Sequence, residues 1–374
     1  MARALFTRRA TAGLASAVAA LAFASLVSAQ SPASLPANPP ALTPVEGDFI
    51  VRDFVFASGE RLPQLRLHYR TLGTLRRDAT GRAANAVLIM HGTGGTGNQF
   101  LSAAFAGGLF GPGQLLDAGR YFIILPDAIG HGRSSKPSDG LRASFPAYRY
   151  ADLVKAQHRL VTEHLGVDHL RLVMGTSMGG MHTWMWGYRY PTFMDGLVPL
   201  ASVPAQIAGR NRVMRKMISD SIRRDPAWKG GAYTKQPERG LTAALNILLW
   251  MTSSPLQWQR LAPTRDAADA FYAEQIRTRL KNADANDMLY QFEASADYDP
   301  SPHLDRISAP LLAINSADDQ VNPPELGLME RLMPRVKRGR YVLLPITDQT
   351  RGHGTHSLPA VWGHHLAAFL RTLP

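Results

Sequence analysis

The chain has 374 residues, 45% of them hydrophobic, a formal net charge of +12 and no cysteine. That much apolar material supports a sizeable core and excludes wholesale disorder, while the missing thiol excludes disulfides, thiolate metal sites, a cysteine nucleophile and a lipid-modified cysteine. The positive charge is mostly arginine and is spread along the chain, with no concentrated stripe of interleaved aromatics, which indicates a soluble protein mildly attractive to anions and no nucleic-acid partner.

Residues 1–29 read as a signal peptide. Arg3, Arg8 and Arg9 form a basic head, an Ala/Leu/Val run follows, and Val27-Ser28-Ala29 offers small residues for cleavage. The run is too rich in Ala, Gly and Ser to favour an anchor, so no stable membrane insertion is expected after cleavage, and the location is periplasmic or secreted. Sec and twin-arginine routes both remain open, the latter because of Arg8-Arg9. Cleavage removes three arginines and no acid, lowering the net charge from +12 to +9. Residues 30–47, containing "SPASLPANPPALTP", are expected to be a Pro-rich leader.

From residue 48 to 203 short apolar runs alternate with helical patterns. "DFIVRDFVF" (Asp48–Phe56) and "LRLHYRTLG" (Leu65–Gly73) alternate like the half-buried strands of a hairpin. "AVLIM" (Ala86–Met90), "YFIILP" (Tyr121–Pro126), "LRLVMG" (Leu170–Gly175) and "GLVPLA" (Gly196–Ala201) are continuous apolar runs, the pattern of strands buried on both faces. Ala151–Leu165 carries helical periodicity and Gly166 ends it. This is a mostly parallel, doubly wound α/β sheet. Residues 204–305 break the rhythm with helical segments and read as an inserted helical cap. Residues 306–374 resume it: a strand at Ala309–Ser316, a helix near Glu325–Met333, a strand at Arg340–Pro345 and a last helix from Pro359 to Leu370.

In "LRLVMGTSMGGMHTW", Ser177 stands between Gly175 and Gly179, after a strand and before a helix. Active groups of open parallel sheets lie beyond the carboxyl ends of strands, and a sharp strand-to-helix turn there needs glycine two residues before and after the serine. A serine nucleophile needs a base oriented by an acid, expected in the order Ser, acid, His. "LLAINSADDQVNPPE" offers Asp318 and Asp319. Asp319, four residues before Pro323, is preferred, with Asp318 expected to be a solvated loop carboxylate. "TRGHGTHSLPAVW" offers His353 and His356, and His353, following Gly352, is preferred. The oxyanion hole is expected from the backbone N–H groups of Met178 and of Thr93 in "HGTGGTGNQ" (His91–Gln99). That loop lacks the lysine of a phosphate-binding loop. His91, His131 and His182 read as structural, and Trp184 and Trp186 as core. His353, His356, His364 and His365 lack the partners of a metal cluster, so no metal is expected, and no cofactor.

These residues together resemble the α/β-hydrolase superfamily and, within it, the homoserine O-acetyltransferase-like branch. The likeness runs from about Asp48 to Leu370 through "HGTGG", "GPGQLLDAGRYFIILPD", "GTSMGGMHTW", "YPTFMDGLVPLAS", "RRDPAWKGGAY", "DDQVNPPE" and "RGHG". It implies an enzyme with a helical cap and a Ser177–His353–Asp319 triad. Acetyltransferases of that branch carry a serine-threonine-glycine-proline run where this chain reads "GHGRSSKPSDG", and a cap arginine in register with "DPAW" that Arg212 and Arg215 do not match. The expectation is therefore an exported serine hydrolase acting on a small ester or amide, with acyl transfer by the same triad as the alternative and a non-catalytic binding protein as a third reading. Among the basic residues Arg210, Arg212, Arg215, Lys216, Arg223 and Arg224, a solvated helix face is expected over an anion site. A homodimer is left open.

Overall fold

The structure, a computed structural model, describes residues 43–374. The expected signal peptide and the leader as far as residue 42 lie outside the described residues. β1 (Val45–Val55) and β2 (Arg61–Leu72) form an antiparallel hairpin. β1 begins before residue 48, so the expected leader ends earlier than its sequence pattern suggested. Val45, Glu46 and Gly47 pair with Thr71, Arg70 and Tyr69, and Glu46 accepts from the Arg70 Nε–H at 2.8 Å.

β3 (Ala86–Met90) explains why an apolar run with no alternation is still a strand. Ala86, Leu88 and Met90 pack into one layer, Val87 and Ile89 into the other, and all five are buried. α1 (Ala103–Leu109), β4 (Phe122–Pro126), α2 (Tyr150–Arg159), β5 (Leu172–Thr176), α3 (Met178–Arg189) and β6 (Leu197–Leu200) follow. The expected helix to Leu165 is α2 to Arg159, then one wider π turn over Leu160–His164, closed by Gly166 at φ 63°.

Between β6 and β7 lies a helical insertion: α4 (Gly209–Arg223), α5 (Glu238–Met251), α6 (Pro255–Leu261), α7 (Arg265–Leu280) and α8 (Ala285–Glu293). It has its own apolar cluster, including Met214, Ile218, Ile222, Leu241, Leu245 and Phe292. β7 (Leu311–Ser316), α9 (Leu328–Leu332), β8 (Gly339–Leu344) and α10 (Pro359–Leu370) complete the chain. The helix expected over Glu325–Met333 is shorter, because Gly327 takes φ 59° and separates a 3-10 turn from α9.

The eight strands run in the order β1-β2-β4-β3-β5-β6-β7-β8. β1, β2 and β4 pair antiparallel, and every other pair from β4 through β3 to β8 is parallel. Residues of α2 and α3 fill one face, with Trp184 and Trp186 fully buried, and residues of α1 and α10 fill the other. Parallel pairing brings the carboxyl ends of β3, β5, β6 and β7 to one rim, where the loops that carry the site begin. Among the described residues no helix is long and apolar enough to cross a membrane.

Candidate active site

Ser177 is the single residue between β5 and α3, with φ 55° and ψ −114°. A non-glycine residue held in such a region stores about 1–3 kcal/mol of strain and stays there only when its surroundings enforce it. Here the Ser177 N–H donates to the Leu200 carbonyl and its own carbonyl accepts from Met181, each at 2.9 Å. The glycines around it are spacers. A Cβ on Gly175 would lie 2.2 Å from the Gly179 oxygen, one on Gly179 1.9 Å from the Met90 oxygen, and one on Gly180 2.5 Å from the Leu200 oxygen. Strand, helix and neighbouring strands approach so closely that hydrogen is the largest group tolerated at each position.

His353 Nε2 lies 2.8 Å from Ser177 Oγ, and its Nδ1 lies 2.8 Å from Asp319 Oδ2. A carboxylate only accepts, so Nδ1 carries the proton and Nε2 is free to accept from the serine. Asp319 is 1% exposed. Burial alone would raise its pKa, but the His353 charge and donors from His353, Asn322 and the Val321 N–H outweigh it, and the carboxyl is held below its ordinary value. The structure brings together the preferred member of each pair. His356 instead hydrogen-bonds Ser357 at 3.0 Å, its ring 5.4 Å from that of His353, and burial takes its pKa down to about 3.

Asp318 is not the solvated carboxylate expected of it. It is 6% exposed and accepts from the Gly352 N–H at 2.8 Å, from Ser254 Oγ at 3.2 Å and from Ser316 Oγ. The loop after β3 reaches Ser177 at Gly92, where a Cβ would stand 3.3 Å from the serine Cβ. Thr93 is the next residue. Met178 opens α3, so its N–H lies in the first turn, where no intrahelical acceptor is available. His91 uses both ring nitrogens on backbone: Nε2 accepts from Ala128 and Nδ1 donates to the Gly92 carbonyl. His131 likewise bonds the Ile129 carbonyl at 2.9 Å.

The helical insertion touches the same loops. Arg210 donates to the Gln320 carbonyl at 2.8 Å and Asn211 to the Val321 carbonyl at 3.2 Å. Arg215 departs from the expected solvated face: it is 4% exposed, donates to Asn211 and Ser295, lies over the Phe292 ring and makes no ion pair among the described residues. Its charge opposes the upward push of burial on the Tyr150 hydroxyl. Sequence reasoning missed the buried roles of Asp318, Asn322 and Arg215. Each is a polar residue turned inward by contacts with segments distant in the chain, and none sits at a spacing that announces it.

A family model described as the alpha/beta hydrolase fold matches residues 85–342. The chain is 31% identical over 332 residues to a homoserine O-acetyltransferase of Pelobacter propionicus, covering 79% of this chain and 87% of that protein. It is 28% identical over 308 residues to a probable acyltransferase of Methanothermobacter thermautotrophicus, covering 82% and 91% respectively. Among solved structures, the acetyl esterase MekB superposes with a TM-score of 0.75 at 25% identity, over 88% of this chain and 97% of that one.

Proposed function

Because this chain belongs to the α/β-hydrolase family, in its homoserine O-acetyltransferase-like branch, we propose that it is an exported serine hydrolase cleaving a small ester or amide through an acyl-enzyme. The observation that carries this reading is the continuous Ser177–His353–Asp319 hydrogen-bonded chain. Ser177 Oγ attacks the substrate carbonyl carbon as His353 Nε2 takes the hydroxyl proton, and Asp319 holds and stabilises the imidazolium. The N–H groups of Met178 and Thr93 receive the oxyanion. Collapse expels the alcohol or amine, which leaves with the proton from His353. Water then attacks the acyl-enzyme by the same proton route and releases the acid and free Ser177. The helical insertion acts as the cap that shapes the substrate pocket.

Acyl transfer is the second reading, and likeness to a homoserine O-acetyltransferase favours it. In that case an alcohol replaces water at the second step. The "GHGRSSKPSDG" segment and the absence of an arginine in register with "DPAW" support hydrolysis. A fluorophosphonate probe is expected to label the wild type at Ser177 and to leave Ser177→Ala unlabelled; an unlabelled wild type overturns both readings. With an activated short-chain ester and candidate alcohol acceptors, hydrolysis is expected to dominate the product partition. Transfer in large excess over hydrolysis would establish the second reading.

A further inference from the structure

Three segments from different parts of the chain meet on one buried carboxylate outside the hydrogen-bonded triad. Asp318 accepts the N–H of Gly352, the residue immediately before His353. It accepts the hydroxyl of Ser254, between α5 and α6 of the helical insertion, and that of Ser316 at the end of β7. Ser254 occupies the N-cap position of α6, where a serine ordinarily bonds the first free N–H groups of its own helix. It makes no such bond and turns its hydroxyl to Asp318 instead. A second contact joins the same two segments. Gly352 has φ 56°, and a Cβ there would lie 2.6 Å from the Ser253 carbonyl oxygen. The histidine loop is therefore pressed against the insertion by its backbone as well as tied to it through Asp318.

We propose that Asp318 is a positioning residue for the reaction: it fastens the His353 loop to the insertion at Ser254 and so keeps the imidazole on Ser177. The proposal rests on the serine-hydrolase reading and deepens it. Asp318 touches neither Ser177 nor the imidazole. It acts through the peptide N–H of Gly352, one residue from the base. The imidazole must sit within hydrogen-bond reach of Ser177 and Asp319 at once, so slack in this loop weakens both bonds together. The serine end of the clamp belongs to the insertion, which makes the position of the base depend on how that element is seated.

The test compares wild type, Asp318→Ala, Asp318→Asn and Ser254→Ala. Two readouts are taken: the rate of fluorophosphonate labelling of Ser177, and the low-field proton resonance of the His353 Nδ1–H. Asp318→Ala is expected to slow labelling about ten- to a hundredfold, to lower kcat with KM nearly unchanged, and to broaden or shift the resonance. Asp318→Asn keeps an acceptor oxygen for Gly352 and is expected to recover most of the rate. Ser254→Ala, which removes only the hydroxyl, is expected to give an intermediate loss, and it decides the question if Asp318→Ala fails to fold. Wild-type rate and resonance in either alanine variant overturn the proposal, as does an Asn variant no better than Ala. A wild type that shows the resonance but does not label refutes the hydrolase reading instead, and the resonance then still decides whether Asp318 positions the histidine.

Discussion

His182 lies on α3, wholly buried, its Nδ1 3.2 Å from the Gln157 amide and its ring edge-on to Tyr150. Burial, reinforced by the nearby His91, takes its pKa from 6.5 down to about 3. The folded value lies below the unfolded one, so as pH falls the unfolded chain takes up this proton first. The contribution to stability is therefore fully present above pH 6.5 and is lost as pH falls towards about 3. At about pH 4.5 the loss from this one residue is about 2–3 kcal/mol. Asp319, also depressed, adds a loss of the same sign at lower pH. Urea unfolding at neutral pH and at about pH 4.5 is expected to show a smaller acid-induced drop in His182→Gln than in the wild type; equal drops would exclude this source. At this scale Ser177 was legible because glycine spacing reports a backbone requirement. Asp318 was not, since two adjacent aspartates in a turn look alike until one is seen to receive Gly352 and the other His353.

The turn between β5 and α3 is where element-level patterning was most informative. An apolar run, a lone serine and glycines on both sides specify a strand, a sharp turn and a helix that must nearly touch. Gly175→Ala places a methyl 2.2 Å from the Gly179 oxygen, a backbone atom with nowhere to retreat. It is expected to cost more than about 3 kcal/mol by urea denaturation and to slow labelling of the proposed nucleophile. Gly107→Ala, in α1, would meet nothing within 4 Å, and is expected to gain about 0.5–1 kcal/mol. Equal effects of the two substitutions would refute the close-approach explanation. Weaker elements were less legible. α9 shrank because Gly327 spends a residue in the left-handed region, and β1 began early because its first residues answer a partner strand that local sequence does not display. Among the helical segments expected over residues 204–305, none was assigned to α6 or α8, since short helices show too little periodicity to stand out.

Over the whole molecule, the insertion and the sheet are joined at the rim where the site forms, through Arg210, Asn211 and Ser254 against the loop after β7. The proposed export rests on residues 1–29. N-terminal sequencing of the protein recovered from the periplasmic or secreted fraction is expected to start at Gln30, and recovery of only full-length protein from the cytoplasm would overturn it. The parallel core, the insertion and the place of the serine at a strand-to-helix turn followed from the chain alone, because hydrophobic period and glycine placement are local consequences of backbone geometry. For the partners of that serine the chain offered a preference within each pair, Asp319 over Asp318 and His353 over His356, and the fold brings the preferred members together. His353 stands 176 positions from Ser177, and whether it or His356 faces the hydroxyl, and whether Arg215 turns outward or in, depends on the packing of distant segments against one another. That packing is a property of the folded core, which no window of sequence contains.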